Sequence, residues 1–190
     1  MTCDDGLIRC EWCGNDPLYR RYHDEEWGHE VTDDTKMFEF LILEGAQAGL
    51  SWLTILRRRE AYRAAFADYD AEKVARFGDE EIARLLAPES GIIRNRLKIV
   101  SAISNARLFL DVQEEFGSFG TYLRSYLPDG KAIINHWQTI GELPASTALS
   151  DKIAADMKRR GFKFFGSTIC YSHLQATGLV NDHIVSCAFR

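Results

Sequence analysis

His183 and Cys187 stand four residues apart, a spacing that puts two side chains on one helical face. Imidazole and thiolate are zinc ligands, and Cys10 or Cys13, together with His23, supplies a matching pair from the other part of the chain. Two Cys and two His make a closed tetrahedral site of the structural kind, with no position left open for catalysis. The competing reading is chance, because the two halves lie about 160 residues apart and such ligands usually come closer in sequence. Five cysteines at scattered positions do not suggest a disulfide framework.

A second kind of chemistry lies between Phe38 and Trp52. Phe38, Leu41 and Ile42 recur at the helical period of a core-facing stripe. Glu44 follows this apolar run directly, where a carboxylate is costly unless it finds partners. Gly45, Ala46, Ala48 and Gly49 leave room for close approach to the backbone, and Trp52 closes the stretch with a large flat ring. Such a set suits a flat polar or cationic ligand. The alternative puts Glu44 on the solvent side of its helix and Trp52 in the core. Trp12, Tyr19, Tyr22 and Trp27 add aromatic density, with Tyr19, Tyr22 and His23 on one helical face. Tyr and Trp offer a polar handle and an electron-rich face, although a core also uses them.

The third constellation is Lys158-Arg159-Arg160-Gly161-Phe162-Lys163-Phe164-Phe165-Gly166-Ser167-Thr168, which reads helix, hairpin, helix. Backbone amides ahead of a helix N-terminus favour anions. Four basic residues flank them in a chain of net charge −5, so the local sign opposes the global one. A solvated basic helix end accounts for the same residues. The global charge argues mildly against nucleic acid, and clustering of Lys and Arg on one face decides the matter.

The elements that must position these groups are helical. Asp16-Pro17 reads as an N-cap followed by proline at the first helical position, and Gly28 ends that element. Thr32 to Asp34 start the helix of the Phe38–Trp52 stretch. A further helix is expected over Thr54–Phe66, short ones capped by Asp70 and Asp79, and a long one over Asn95–Phe116. Residues 117–141 are irregular, with a turn at Pro128-Asp129-Gly130. Pro144 to Ser150 leads into a helix ending at Gly161, Phe162 to Gly166 forms a brief hairpin, Ser167–Ala176 is helical, and Asp182 to Cys187 makes a last turn. Residues 1–15 read as loop. Sustained strand alternation is nowhere found, so the expectation is an all-α protein of one domain over 1–190. Hydrophobic content of 46% is ample for a core. The first residues carry no basic and apolar signal pattern, and no run approaches membrane-spanning length, which makes a soluble cytoplasmic protein the default.

Taken together, several motifs resemble the DNA-3-methyladenine glycosylase I family within the helix-hairpin-helix glycosylases. They are Cys10-x-Trp12, Asp16-Pro17-Leu18-Tyr19, Tyr22-His23-Asp24-x-Glu26-Trp27-Gly28, Leu43 to Trp52, Arg160-Gly161-Phe162-Lys163-Phe164 and Leu179-Val180-Asn181-Asp182-His183. The resemblance implies a compact helical glycosylase fold with a helix-hairpin-helix unit and chain termini joined by one structural zinc. It implies zinc on Cys10, His23, His183 and Cys187, without Cys13. It assigns Glu44 and Tyr22 to the flipped base as the catalytic pair, Trp52 and Trp12 to the faces of that base, and Tyr19 and Trp27 to the same pocket. DNA contacts are implied at Gly49, Leu50, Lys158, Arg160, Lys163, Gly166, Ser167 and Thr168. Phe164 departs from the wider superfamily, replacing its usual first hairpin glycine.

Two further departures bear on chemistry. Asn181 stands where that superfamily has its catalytic Asp, and Thr168 stands where its lyase members have a lysine nucleophile. Both imply a monofunctional glycosylase that uses water, excises 3-methyladenine from double-stranded alkylated DNA and does not cut the strand. A monomer is expected. A 3-methylated adenine is cationic and its glycosidic bond already weak, so holding the extruded base matters more than protonating it. The competing classes are a zinc-stapled module that binds damaged DNA without cleaving it, and a hydrolase with a catalytic zinc. Four protein ligands count against the latter.

Overall fold

The computed structural model describes residues 5–190. Cys3 and the first residues, on which the reading of the N-terminus rests, lie outside the described residues. Asp16 opens the first helix, α1 (Pro17–Glu25), by accepting from the N–H groups of Leu18 at 2.9 Å and Tyr19 at 3.3 Å. Pro17 sits where a missing N–H does no harm. Asp33 caps α2 (Asp34–Gln47), and Ser51 caps α3 (Trp52–Leu56). The expected helix over Thr54–Phe66 is instead two, because the chain breaks at Arg57-Arg58 before α4 (Arg59–Ala65). The break lets Arg59 turn inward, onto the Glu26 and Glu39 carboxylates at 2.7 Å.

Asp70 caps α5 (Ala71–Ala75), as its position predicts. Asp79 does not cap α6 (Asp79–Leu86). It is the first helical residue, and Glu81 reaches back to the Gly78 N–H at 2.7 Å. Asn95 starts the long α7 (Arg96–Phe116), followed by α8 (Phe119–Arg124), α9 (Ala148–Arg160) and α10 (Ser167–Ala176). Residues 11–13, expected as loop, form a 3₁₀ turn.

The fold is mostly helical, with one exception to an all-α reading. Two short strands, β1 (Ile133–Ile134) and β2 (Val180–Asn181), pair in parallel with Ile133 opposite Val180. Two residues each are too few for alternation to show in sequence. None of the helices among the described residues is long and apolar enough to cross a membrane.

α2 lies at the centre. It packs against α3, α4, α7, α8 and α10, and every residue from Met37 to Glu44 is buried. The single stripe expected from Phe38, Leu41 and Ile42 understates this, since the helix is covered all round and takes Glu39 and Glu44 into the interior. Around it, the Phe109 ring lies tilted against Phe38 at 5.0 Å and stacks on Phe119 at 4.5 Å. Lys98 of α7 donates to the carbonyls of Ala46 at 2.8 Å and Ala48 at 2.6 Å, closing the C-terminal end of α2 with a cation.

Two glycines permit close backbone contact near the chain segments that later meet. Gly178, φ +69°, lies against the His29 backbone, and a Cβ there would fall inside the His29 carbonyl group. Gly28, φ +83°, lies against the His183 imidazole, where a Cβ would come within 2.9 Å of Cδ2. Gly28 N–H also donates to the Gln175 carbonyl at 3.0 Å and Val31 N–H to that of Thr177 at 3.0 Å, so the end of α1 is laced to the end of α10. Gly178→Ala combines left-handed strain with steric overlap, and we expect it to lower stability by about 2 kcal/mol or more. Urea denaturation of the purified variant measures this directly.

Candidate functional site

α1, α2, α3 and α10 wall a cavity of about 220 Å³. Its lining holds Trp12, Tyr19, Tyr22, Trp27, Glu44 and Trp52, all six residues that the sequence assigns to a base pocket. The rings stand against one another edgewise or tilted: Trp12 lies 4.9 Å from Trp27 and 5.1 Å from Tyr19, and Tyr22 lies 5.5 Å from Trp52. Gln47, Leu143, Ser172 and Gln175 complete the lining and were not singled out from sequence. Gln47 was within reach of that reading, because it follows Glu44 by three on the same helix. Ser172 and Gln175 share the same spacing on α10 but carry no charge or ring to mark them.

Glu44 is 2% exposed, which removes the solvent-side alternative. Its Oε2 lies 2.8 Å from Nδ1 of His173, a residue that sequence reasoning missed within the apolar pattern of α10. Burial pushes the Glu44 carboxyl up from its ordinary range, while the charge and hydrogen bond of His173 act against that shift. Glu44 Oε1 is buried and has no hydrogen-bond partner among the described residues, and the same holds for the indole nitrogens of Trp12 and Trp52. An acceptor and two donors left unsatisfied around one aromatic cavity describe a receptor for a flat ligand with polar edges.

Beside this cavity, Cys10, His23, His183 and Cys187 form a buried group whose ligand atoms all lie within 4.8 Å of one another. Cys187 Sγ is 3.3 Å from His183 Nδ1 and 3.5 Å from His23 Nε2, and Cys10 Sγ is 3.7 Å from His183 Nδ1. A tetrahedral ion with bonds of about 2.0–2.3 Å needs donor-to-donor edges of roughly 3.3–3.8 Å, so these separations fit. The far nitrogen of each imidazole is also fixed, as metal-bound His requires. His23 Nδ1 meets Asp24 Oδ1 at 2.7 Å, and His183 Nε2 meets the Trp27 carbonyl at 2.9 Å. Arg9 in turn holds Asp24 at 2.8 Å. The neighbouring Cys10 thiol holds the Cys187 thiol well below its ordinary value against the opposing effect of burial, the two imidazoles add to this, and Cys10 itself is pushed up. The four residues can therefore hold a metal ion.

One expectation about this group needs correction. His183 and Cys187 do not share a helical face. Residues 182–187 form a non-helical turn, closed by Cys187 N–H on the Ile184 carbonyl at 2.9 Å. Cys13 stands apart from the ligands, its thiol directed to the Cys10 carbonyl at 3.1 Å. The chain brings residue 8 alongside residue 188 through a hydrogen bond of 2.9 Å.

The residues expected at DNA fall in two places. Gly49, φ +80°, and Leu50, 39% exposed, form the turn between α2 and α3, with Leu50 N–H on the Gln47 carbonyl. The second place is the connection from α9 to α10. It contains no strand pair, so it is a turn and not a hairpin of β type. Lys158 and Lys163 are exposed there, as are Gly166 and Thr168, and Gly166 caps α10 without a side-chain bond. Ser167 bonds Asp151 and Ser150. Arg160 is engaged elsewhere. Its guanidinium pairs with Glu115 at 2.6 Å and Asp156 at 2.9 Å and lies over Phe116 and Tyr122. Phe164 does adopt the left-handed backbone, φ +52°, that a glycine usually supplies. Asn105 of α7 stabilises it, accepting from Lys163 N–H and donating to the Lys163 carbonyl, both at 2.9 Å.

Asn181 and Asp182 lie where the metal group meets the cavity. Asn181 Oδ1 accepts from His183 N–H at 3.1 Å, shaping the turn. Asp182 is fully buried and accepts from Asn135, Trp137 and Gln175, each at 2.7 Å, and from the Tyr171 hydroxyl. Gln175 thereby presents its remaining surface to the cavity.

A family model described as methyladenine glycosylase matches residues 12–190. Over 181 residues the chain is 48% identical to DNA-3-methyladenine glycosylase 1 of Escherichia coli (strain K12), a match covering 95% of this chain and 96% of that one. Over 179 residues it is 38% identical to DNA-3-methyladenine glycosylase of Haemophilus influenzae, covering 94% and 96%. A crystal structure of a variant 3-methyladenine DNA glycosylase I in complex with 3-methyladenine superposes with a TM-score of 0.90 at 35% identity, covering 95% and 96%.

Asp182→Asn replaces one acceptor with a donor that faces two others. We expect a stability loss of about 1.5–3 kcal/mol, the scale of a hydrogen bond to a charged group. Urea denaturation of the purified variant measures the loss.

Proposed function

The chain belongs to the methyladenine glycosylase family, and on that premise we propose that it is a monofunctional enzyme that extrudes 3-methyladenine from double-stranded alkylated DNA and hydrolyses its glycosidic bond. The observation that carries this reading is the buried Glu44 carboxylate, with one unpartnered oxygen, in the wall of a cavity of aromatic rings.

The chemistry follows from the charge of the substrate. A 3-methylated adenine in DNA is cationic, and an electron-rich cage with a carboxylate holds it better than neutral adenine. Each cation–π contact contributes about 0.5–2 kcal/mol, so Trp12, Trp52, Tyr19 and Trp27 act together for useful discrimination. Glu44 Oε1 accepts a hydrogen bond from the edge of the base, and Tyr22 contributes its hydroxyl. Burial, reinforced by the Glu44 charge, pushes the Tyr22 phenol well up, so it acts as a neutral donor. When the bond between sugar and base breaks, its electron pair passes to the purine and cancels the positive charge. Water then adds to the sugar carbon and gives up a proton. No acid has to protonate the leaving group, and no lysine or free carboxylate is supplied by Thr168 or Asn181 for strand cleavage.

The turn from α9 to α10 serves as the helix-hairpin-helix grip on the backbone, through Lys158, Lys163 and the amides of Gly166, Ser167 and Thr168. Arg160 supports that unit through its ion pairs. Leu50, exposed on the Gly49 turn, occupies stacking space left by the extruded nucleotide. The protein works as a monomer and one domain in the cytoplasm. Cys10, His23, His183 and Cys187 would hold one zinc, supplying structural cross-linking and no open coordination position.

Incubation with methylated duplex DNA and mass spectrometry of the released bases tests the activity, with 3-methyladenine expected and intact strands remaining. Glu44→Gln keeps the shape and removes the charge. It should weaken binding of 3-methyladenine by about 1.5–3 kcal/mol with fold and metal content unchanged. Equal affinity in wild type and variant would place the anchor elsewhere, and binding without base release would make the protein a damage-recognition module.

The zinc assignment is tested by elemental analysis. One zinc per chain is expected in the wild type and none in a Cys10→Ala/Cys187→Ala double variant, which should also lose stability because metal-binding energy at such a site is folding energy. Stoichiometric zinc in the double variant would contradict the assignment.

A further inference from the structure

Glu44 has a single partner, and that partner is unusual in its surroundings. His173 is fully buried on α10, its Nδ1 2.8 Å from Glu44 Oε2. Its ring meets Phe165 edgewise at 5.5 Å and Phe119 at 6.0 Å. Nε2, on the far side, is buried with no hydrogen-bond partner among the described residues.

These facts select the donating atom. A carboxylate oxygen can only accept, so Nδ1 carries a proton and donates it to Oε2. Nε2 has no part in this contact.

We propose that His173 is a positioning residue for base recognition, a fixed Nδ1–H donor that occupies Oε2 of Glu44 and turns Oε1 to the ligand. The inference rests on the glycosylase reading above and deepens it, since nothing in that reading requires a donor behind the carboxylate. His173 touches no base. It acts through Glu44.

The groups that face Glu44 limit what else can titrate there. Among the described residues these are Tyr22 from α1 and Cys170 and His173 from α10. Burial first, and the Glu44 charge second, push the Tyr22 hydroxyl and the Cys170 thiol upward, so both keep their protons across the working range. Burial alone also pushes the Glu44 carboxyl up, and His173 opposes it. Without the donor, Glu44 takes up a proton at a higher pH. Base recognition needs the carboxylate, so activity must then fail at a higher pH as acid is added.

The test is single-turnover release of 3-methyladenine from methylated duplex DNA between about pH 5 and pH 9. This substrate is cationic throughout. His173→Phe keeps a ring between Phe119 and Phe165 but removes the donor. His173→Asn keeps a donor near the Nδ1 position but removes the ring. We expect His173→Phe to slow release about tenfold near neutrality and to move the acid limb upward by about one pH unit. His173→Asn should return the limb toward the wild-type position. Wild-type rates and an unmoved limb in His173→Phe would overturn the inference alone. The same result follows if Asn is as impaired as Phe, since ring packing would then be the role. A wild-type protein that releases no 3-methyladenine overturns the functional reading and this inference with it. Should His173→Phe unfold, imidazole ¹⁵N shifts of the wild type decide: a proton on Nδ1 supports the inference, and an unprotonated Nδ1 overturns it.

Discussion

The structure depends on how buried carboxylates are compensated. A helix covered on all sides, α2, brings two of them into the interior, and a third sits on the turn that follows β2. Each is treated differently. Glu39 meets Arg59 at 2.7 Å, Lys36 at 3.0 Å and Arg63 at 3.4 Å, so charge answers charge. Asp182 meets no cation among these contacts, but four neutral donors saturate its two oxygens. Glu44 has one imidazole and an idle oxygen. Leaving a buried acceptor idle costs about 1–3 kcal/mol, and it occurs at the one carboxylate of the three that lines the aromatic cavity. In the function proposed above, the bound base relieves that deficit.

The Cys/His group and the cavity are parts of one construction. Trp12 lies two residues after Cys10, Tyr22 precedes His23, and Trp27 uses its carbonyl to orient His183. The imidazoles also pack on the same indoles, His23 at 5.2 Å from Trp12 and His183 at 4.6 Å from Trp27. The group needs no chemistry of its own to matter. By fixing two imidazoles it fixes the wall against which a base would lie.

Much of this was legible in the residues. The Asp16-Pro17 and Asp70 caps act locally, so sequence reports them faithfully. Trp, Tyr, Cys and His are few and chemically marked, and all those picked for the cavity and the ligand group meet there. What stayed hidden depended on long-range geometry. His173 reads as one more residue of a buried helix until Glu44, 129 positions away, arrives beside it. Arg160 looks like a free cation until Glu115 comes from another helix. The Arg57-Arg58 break has no Gly or Pro to mark it, and the Glu26 and Glu39 carboxylates that Arg59 meets beyond it lie far away in sequence. The β1–β2 ladder is likewise too short to have a periodicity of its own.

The four-residue ligand group also sets the order in which the site can come into being during synthesis. Trp12, Tyr19, Tyr22 and Trp27 emerge from the ribosome early, but His183 and Cys187, which face Cys10 and His23, follow about 160 residues later. At about 5–20 residues per second that interval is roughly ten to thirty seconds. Throughout it the aromatic segment is made but unanchored, a sticky strip suited to chaperone contact. The proposed base site would therefore be complete only after nearly all of the chain has been translated, and a product ending short of residue 183 would carry the aromatic residues without His183 and Cys187 beside them.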